Sequence, residues 1–167
     1  MLKKIKKYQI ELTDFKKKDI NETYLSWLNN KNLMQYSDQR FKKYDHFEAL
    51  KYLNLIKNKK SIFKKILFKQ KRKFIGTITA HIDYKSRIAD IGILIGDKNF
   101  RQKGLGEEAW IRMIRYLIRF KKIQKVTAGT MIKNKPMLNI FISSGMLIGR
   151  KNKKLKTINY FVTRNLI

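Results

Sequence analysis

The stretch from Ile91 to Gly106, IGILIGDKNFRQKGLG, constrains the fold more than any other part of the chain. An apolar run with strand character ends in a short polar loop carrying Arg101-x-x-Gly104-x-Gly106, and the amphipathic segment 107–120 follows at once. Strand, glycine turn and helix start in that order build an anion site. The first N–H groups of a helix lack intrahelical partners, and its dipole favours negative charge there. Glycine at 104 and 106 removes the Cβ that would hold a ligand away from the backbone. Arg101 and Lys103 add positive charge, with Gln102 and Leu105 completing the loop. A pyrophosphate is the ligand this suits. Two familiar phosphate motifs fail: no Gly-x-x-x-x-Gly-Lys-Ser/Thr string occurs, and the loop lies past mid-chain without Gly-x-Gly-x-x-Gly spacing. The reading without a ligand is an ordinary glycine turn before a helix.

Downstream, residues 125–130 read as a buried strand, followed by Asn134 and a helical segment 136–144 that ends at Gly145-Met146. Pro136 suits a first helical turn, and Gly145 suits the left-handed residue that closes a helix. The loop resembles the Gln/Arg-x-x-Gly-x-Gly/Ala motif of the GNAT N-acetyltransferases, which hold the pyrophosphate of acetyl-coenzyme A. Asn134, Met137, Phe141, Gly145 and Met146 stand at the spacing of that family's second pattern, with Met137 and Met146 departing from its commonest residues. The resemblance is close over 89–149. The strings at 24–30, 36–41 and 134–139 make the chain similar to the RimJ/RimL-type branch and its amino-sugar relatives.

That resemblance implies an α+β fold, a single domain over 1–167 with a central mixed, mostly antiparallel sheet and helices on both faces. The acetyl-CoA-binding core would span about 89–149, and the acceptor-side helices about 19–60. It also implies a cofactor position: pantetheine along Ile93, Leu94 and Ile95, pyrophosphate at Arg101, Gln102, Lys103, Gly104, Leu105 and Gly106, and the thiol end near Asn134. Gly92 and Gly96 would allow a ligand to approach the strand closely. The acid–base pair common in relatives is absent, because Thr130 stands where some have Glu and Phe141 where many have a proton-donating Tyr. His81, Asp83 and Asp90 remain as candidate bases, with His81 and Asp90 foremost. His81 has a suitable intrinsic pKa, and Asp90 stands where relatives often carry Glu. The bland readings are a structural strand histidine and a strand-edge carboxylate paired with a lysine. Tyr84, Tyr160 and Ser144 are candidate proton donors.

The order of elements fits one domain. A first strand is expected over 8–13. Asp19 and Glu22 have capping-box spacing at the start of a helix reaching about 30, and Asp45 and Glu48 repeat it for a second helix. Strands follow at 62–69, 74–84 and 88–95, and an antiparallel pair at 147–150 and 157–164 closes the chain. The helix at 107–120 places Trp110, Met113, Leu117 and Phe120 on a core face and Arg112, Arg115 and Arg119 on a solvated one.

Composition narrows the function. The 167 residues carry no cysteine, which excludes thiolate chemistry and disulfides, and two histidines without metal spacing give no metal site. No apolar run is long enough for a membrane helix, and the basic N-terminus lacks the apolar core of a signal peptide, so a cytoplasmic protein is the default. The net charge of +28 suggests nucleic acid, but the lysines are dispersed in short runs along the chain, which argues against a basic face. The leading expectation is an acetyl-CoA-dependent N-acetyltransferase for a small primary amine, a nucleotide-linked amino sugar. Its rivals are a protein N-terminal acetyltransferase, a nucleic-acid-binding protein, and a fold that binds coenzyme A without turnover. A homodimer is compatible with any of these.

Overall fold

The computed structural model describes residues 1–5 and 7–166. Seven strands among them form one sheet: β1 (Ile10–Asp14), β2 (Ile62–Phe68), β3 (Lys73–Asp83), β4 (Ile88–Ile95), β5 (Lys125–Met131), β6 (Leu147–Asn152) and β7 (Thr157–Thr163). Their spatial order is β1-β2-β3-β4-β5-β7-β6. All neighbours are antiparallel except β4 and β5, which run parallel and pair only over Ile88–Asp90 against Lys125–Thr127. Beyond Asp90 the two strands diverge. Ile91–Ile95 and Ala128–Met131 therefore face each other across a gap rather than a ladder, and the mixed, mostly antiparallel expectation holds.

Alternation along β4 sends Ala89 and Ile91 to one face and Asp90, Gly92 and Leu94 to the other. On the first face the helices α4 (Leu105–Phe120) and α5 (Lys135–Ser144) cover a core that includes Ile78, Ala89, Ile91, Trp110, Met113, Leu117 and Phe141. On the second, α1 (Glu22–Leu28) and α3 (His46–Asn58), linked through α2 (Lys31–Met34), bury Phe15, Tyr24, Trp27, Leu53 and Phe63. Stacked and tilted rings dominate that smaller core, with Phe15 lying 4.3 Å from Phe63 between centroids. It covers the β1–β3 half of the sheet, against which Leu94 also packs.

Three local expectations are corrected. Asn21, not Asp19, caps α1: its side chain accepts the Tyr24 N–H. Asp19 instead accepts the Lys16 N–H and pairs with Lys65 at 2.7 Å, because a carboxylate near a lysine on β2 has a stronger partner than a helix end. Phe120, expected in the core, is 73% exposed, since α4 outruns the sheet it packs on. The arginine stripe is not wholly solvated. Arg112 donates to the Ile10 carbonyl and Arg115 to that of Lys3, tying the N-terminal segment to α4. Asp45 caps α3 as its spacing predicts, and Trp110, Met113 and Leu117 are buried.

Candidate active site

The loop after β4 is fixed from below. Asp97 accepts the Asn99 N–H and pairs with Lys73 at 2.8 Å, and although burial works against its charged form, these contacts and Arg101 hold its pKa below the usual value. Arg101 then folds back over the strand end, its Nε donating to Ile95 O at 2.9 Å and an Nη to Gly96 O at 2.5 Å. The guanidinium read from the sequence as a phosphate ligand is, in the structure, a clamp that shapes the loop. Gln102 and Gly104 both have left-handed backbone (φ 58° and 75°), a turn that presents successive N–H groups toward the same side. No side chain caps α4 at Gly104, so the N–H groups of its first turn lack intrahelical partners.

The carboxylates of that first turn point elsewhere. Glu107 pairs with Lys3. Glu108, buried, accepts the Gln9 and Ile10 N–H groups and pairs with Arg112. Their charge is thereby taken up, leaving the helix dipole and Lys103 to set the local potential. A Cβ on Gly104 would meet nothing within 4 Å, so this side of the loop is open space. A Cβ on Gly106 would stand 3.4 Å from Ile140 and Ile95 and 3.9 Å from Ile93. The floor of the β4–β5 gap is thus apolar and meets the loop at Gly106.

Asn134 closes the other end of the gap. It caps α5 by accepting the Met137 N–H, while its Nδ2 donates to the Thr130 hydroxyl at 2.9 Å. Thr130, standing where a carboxylate occurs in some relatives, is a buried hydrogen-bond partner here. Phe141 is fully buried between Trp110 and Tyr160, so its position is structural. Met146 accepts the Trp110 indole N–H at 3.3 Å, which gives that departure a role in packing.

Where β4 and β5 part, the open face gathers three polar side chains. His81 lies directly across from Asp90, and Asp90 directly across from Thr127. The Thr127 hydroxyl donates to Asp90 Oδ1 at 2.8 Å. Burial among the strands pushes the Asp90 carboxyl pKa up, opposed in part by Thr127 and by the charge of His81. Two residue pairs further along β4, on the same face, Gly92 lies across from Thr79, whose hydroxyl donates to Gly92 O at 3.4 Å. Tyr52 of α3 lies near the same Thr79, and burial raises its pKa. Sequence reasoning missed Tyr52, whose only prior signal was a place on a helix expected to face the acceptor. The other hydroxyl candidates and Asp83 fall away. Tyr160 and Ser144 are in the core, Tyr84 donates to Lys60 O at the far end of β3, and Asp83 organises the turn at Ser86.

Gly96 is a further correction. A Cβ there would lie 1.8 Å from the Trp27 ring, so its missing side chain makes room for tryptophan rather than for a ligand. Gly92, whose Cβ would meet only Thr79 Oγ1 at 3.4 Å, keeps an open approach.

A parallel pair opening beside a glycine loop at a helix start, with helices on both faces of a seven-stranded sheet, is the architecture on which this site is built. The GNAT acetyltransferase domain model matches residues 9–147, and the chain belongs to that family. No curated protein matches the sequence. Among solved structures, spermidine N-acetyltransferase from Vibrio cholerae in complex with CoA and spermine is similar, at 17% identity and TM-score 0.80, covering 94% of this chain and 96% of that one. The microcin C7 self-immunity acetyltransferase MccE, in complex with acetyl-CoA and AMP, is similar at 19% identity and TM-score 0.76, covering 93% and 92%. The ribosomal-protein-S5-alanine acetyltransferase from Vibrio fischeri gives 15% identity and TM-score 0.71, covering 96% of each chain.

Proposed function

We propose that this acetyltransferase uses acetyl-CoA to acetylate the primary amine of a nucleotide-linked amino sugar by direct attack in a ternary complex. The observation that carries the reading is the Asp90–His81–Thr127 cluster, set on the open face at the point where β4 and β5 part. The first-turn N–H groups of α4 and Lys103 hold the pyrophosphate, and Arg101 keeps that loop in shape. Pantetheine runs over Ile93, Leu94 and Ile95 toward Asn134. Complexes with CoA or acetyl-CoA in two similar structures support acetyl-CoA as the cosubstrate.

Asp90 accepts a proton from the acceptor ammonium directly or through a water, helped by a pKa raised toward the working range. The free amine nitrogen bonds to the thioester carbonyl carbon, the C–S bond breaks, and the departing thiolate takes up a proton. Tyr52, with its raised pKa, is a hydrogen-bond donor rather than an acid, suited to holding the acceptor or the carbonyl oxygen.

Charge supports the acceptor class. The chain has twelve acidic residues, and six carboxylates (Asp14, Asp19, Glu48, Asp97, Glu107 and Glu108) are already in salt bridges. A polyamine or a basic peptide needs several free carboxylates, whereas an amine attached to a nucleotide diphosphate suits a strongly cationic protein. AMP in the complex of MccE is in keeping with a nucleotide.

The test is thiol release from acetyl-CoA with nucleotide-linked amino sugars, free amino sugars, polyamines and N-terminal peptides. The protein has no cysteine to react with the thiol reagent. Turnover with the nucleotide sugar is expected. Turnover only with peptides or polyamines would overturn the acceptor, and none with any amine would overturn the reaction.

A further inference from the structure

The sheet face opposite Asp90 carries a second feature that acetyl transfer does not use. Between edge strand β1 and the last turns of α4 lies a groove of about 400 Å³, whose lining includes Tyr8, Lys64, Arg115, Tyr116, Arg119 and Phe120. Its aromatic rings are unusually open for side chains of that size: Tyr8 is 55% and Phe120 73% exposed. Tyr116 and Phe120 lie 5.7 Å apart with planes at 35°. Cations surround the rings. Arg112 stands 5.6 Å from the Tyr8 ring, and Lys64 and Lys121 stand 5.7 and 5.9 Å from that of Tyr116. Arg115 spends one Nη on Lys3 O, and Arg119 is exposed. The carboxylates at this surface are held already, Asp14 by Lys64 and Glu108 by Arg112.

We infer that this groove binds a short segment of single-stranded nucleic acid. The lysine scatter along the sequence argues against a basic face, but the fold gathers Arg115, Arg119 and Lys121, none of which pairs with a carboxylate among the described residues, on one surface around three rings. Interleaved cations and exposed aromatics meet the two demands of a single strand, phosphate neutralisation and base stacking. An acidic peptide would use the cations and leave the flat rings without planar partners. The groove lies on the α4 side of the sheet, so its occupation leaves the Asp90 face free.

Fluorescence anisotropy with a labelled oligouridylate of about 12 nucleotides tests the inference on the full chain at several salt concentrations. Phe120→Ala, at an exposed position that leaves the fold intact, is expected to weaken binding at least about fivefold. Arg119→Gln should reduce the slope of log affinity against log salt by about 0.7. Lys153→Gln with Lys154→Gln, in the β6–β7 connection, should stay within about twofold of the parent. The inference fails if the hairpin variant loses as much affinity as Phe120→Ala, because binding would then follow net charge alone. It fails equally if polyglutamate of matched charge displaces the RNA as well as unlabelled RNA does.

Discussion

Gly96→Ala separates two roles that a strand-end glycine can have. If the glycine admits a ligand, a methyl group there should weaken acetyl-CoA binding and leave stability alone. The structure gives the opposite expectation. The new Cβ would stand 1.8, 2.1 and 2.4 Å from three carbons of the Trp27 indole. Carbon contacts settle near 3.5–4.0 Å, so the ring has to retreat by roughly 2 Å. Trp27 is 8% exposed and backed by Phe74 at 5.0 Å between centroids, which leaves little room for it. Overpacking of this kind costs about 1–3 kcal/mol. For a chain of this size each kcal/mol moves the melting temperature by about 2–4 °C, giving an expected fall of about 2–12 °C. Trp27→Leu in the same chain removes the obstacle, so the double variant should be less destabilised than the sum of the singles by about 0.5–3 kcal/mol. Thermal and urea denaturation of the four proteins, with acetyl-CoA affinity measured on each, completes the cycle. An unchanged melting temperature in Gly96→Ala together with lost acetyl-CoA affinity would refute the packing account.

Asp90→Asn should lower turnover by about 10²–10⁴-fold and abolish the acidic limb of the rate profile, with acetyl-CoA affinity unchanged. Burial raises the Asp90 pKa in the folded chain, so native stability falls as pH rises from the ordinary aspartate range through the raised value, and the penalty persists above it. Asn removes that penalty, so denaturation at neutral pH should show a variant at least as stable as the parent, its advantage vanishing in acid. A less stable but fully active variant would make the cluster structural. Arg101→Ala should weaken acetyl-CoA binding by releasing the loop from Ile95 O and Gly96 O, and Arg101→Lys should fail to restore it, because an ammonium cannot reproduce the guanidinium's planar fork. Full rescue by Lys, measured by calorimetry, would mean that the charge alone matters. Tyr52→Phe should raise the acceptor KM or lower kcat while leaving acetyl-CoA affinity intact; unchanged kinetics would remove Tyr52 from the site.

The parts legible in the sequence are those decided by neighbours along the chain. β4 runs from Ile88 to Ile95 as its apolar run predicts, Asp45 caps α3, and Gly145 closes α5 with φ 88°. The failures involve partners that only the fold brings close. Asp19 has the spacing of a cap, yet Lys65, on another strand, takes its carboxylate. Phe120 continues the apolar stripe of α4 past the point where the sheet supports it. Tyr52 joins the site because α3 lies over Thr79. Helical periodicity can say that a residue lies on a face. It cannot say what covers that face.

Gly96 shows why the two halves of the site need not be independent. Its N–H donates to Ile75 O at 2.9 Å, which fixes the end of β4 against β3. Its carbonyl receives Arg101, which fixes the loop proposed to hold the cofactor. Its open Cα face receives Trp27, which seats the helical layer proposed to hold the acceptor. A displacement of that layer therefore presses on the same residue that anchors the loop. Packed interiors respond to such pressure by shifting neighbours rather than by compressing. An acceptor that moves α1 inward would thus be felt at Arg101 and at the first turn of α4. The coupling is reciprocal, so acetyl-CoA should alter acceptor affinity by the same factor as the acceptor alters acetyl-CoA affinity. Trp27→Leu, which removes the contact and leaves Arg101 in place, should bring that factor toward one.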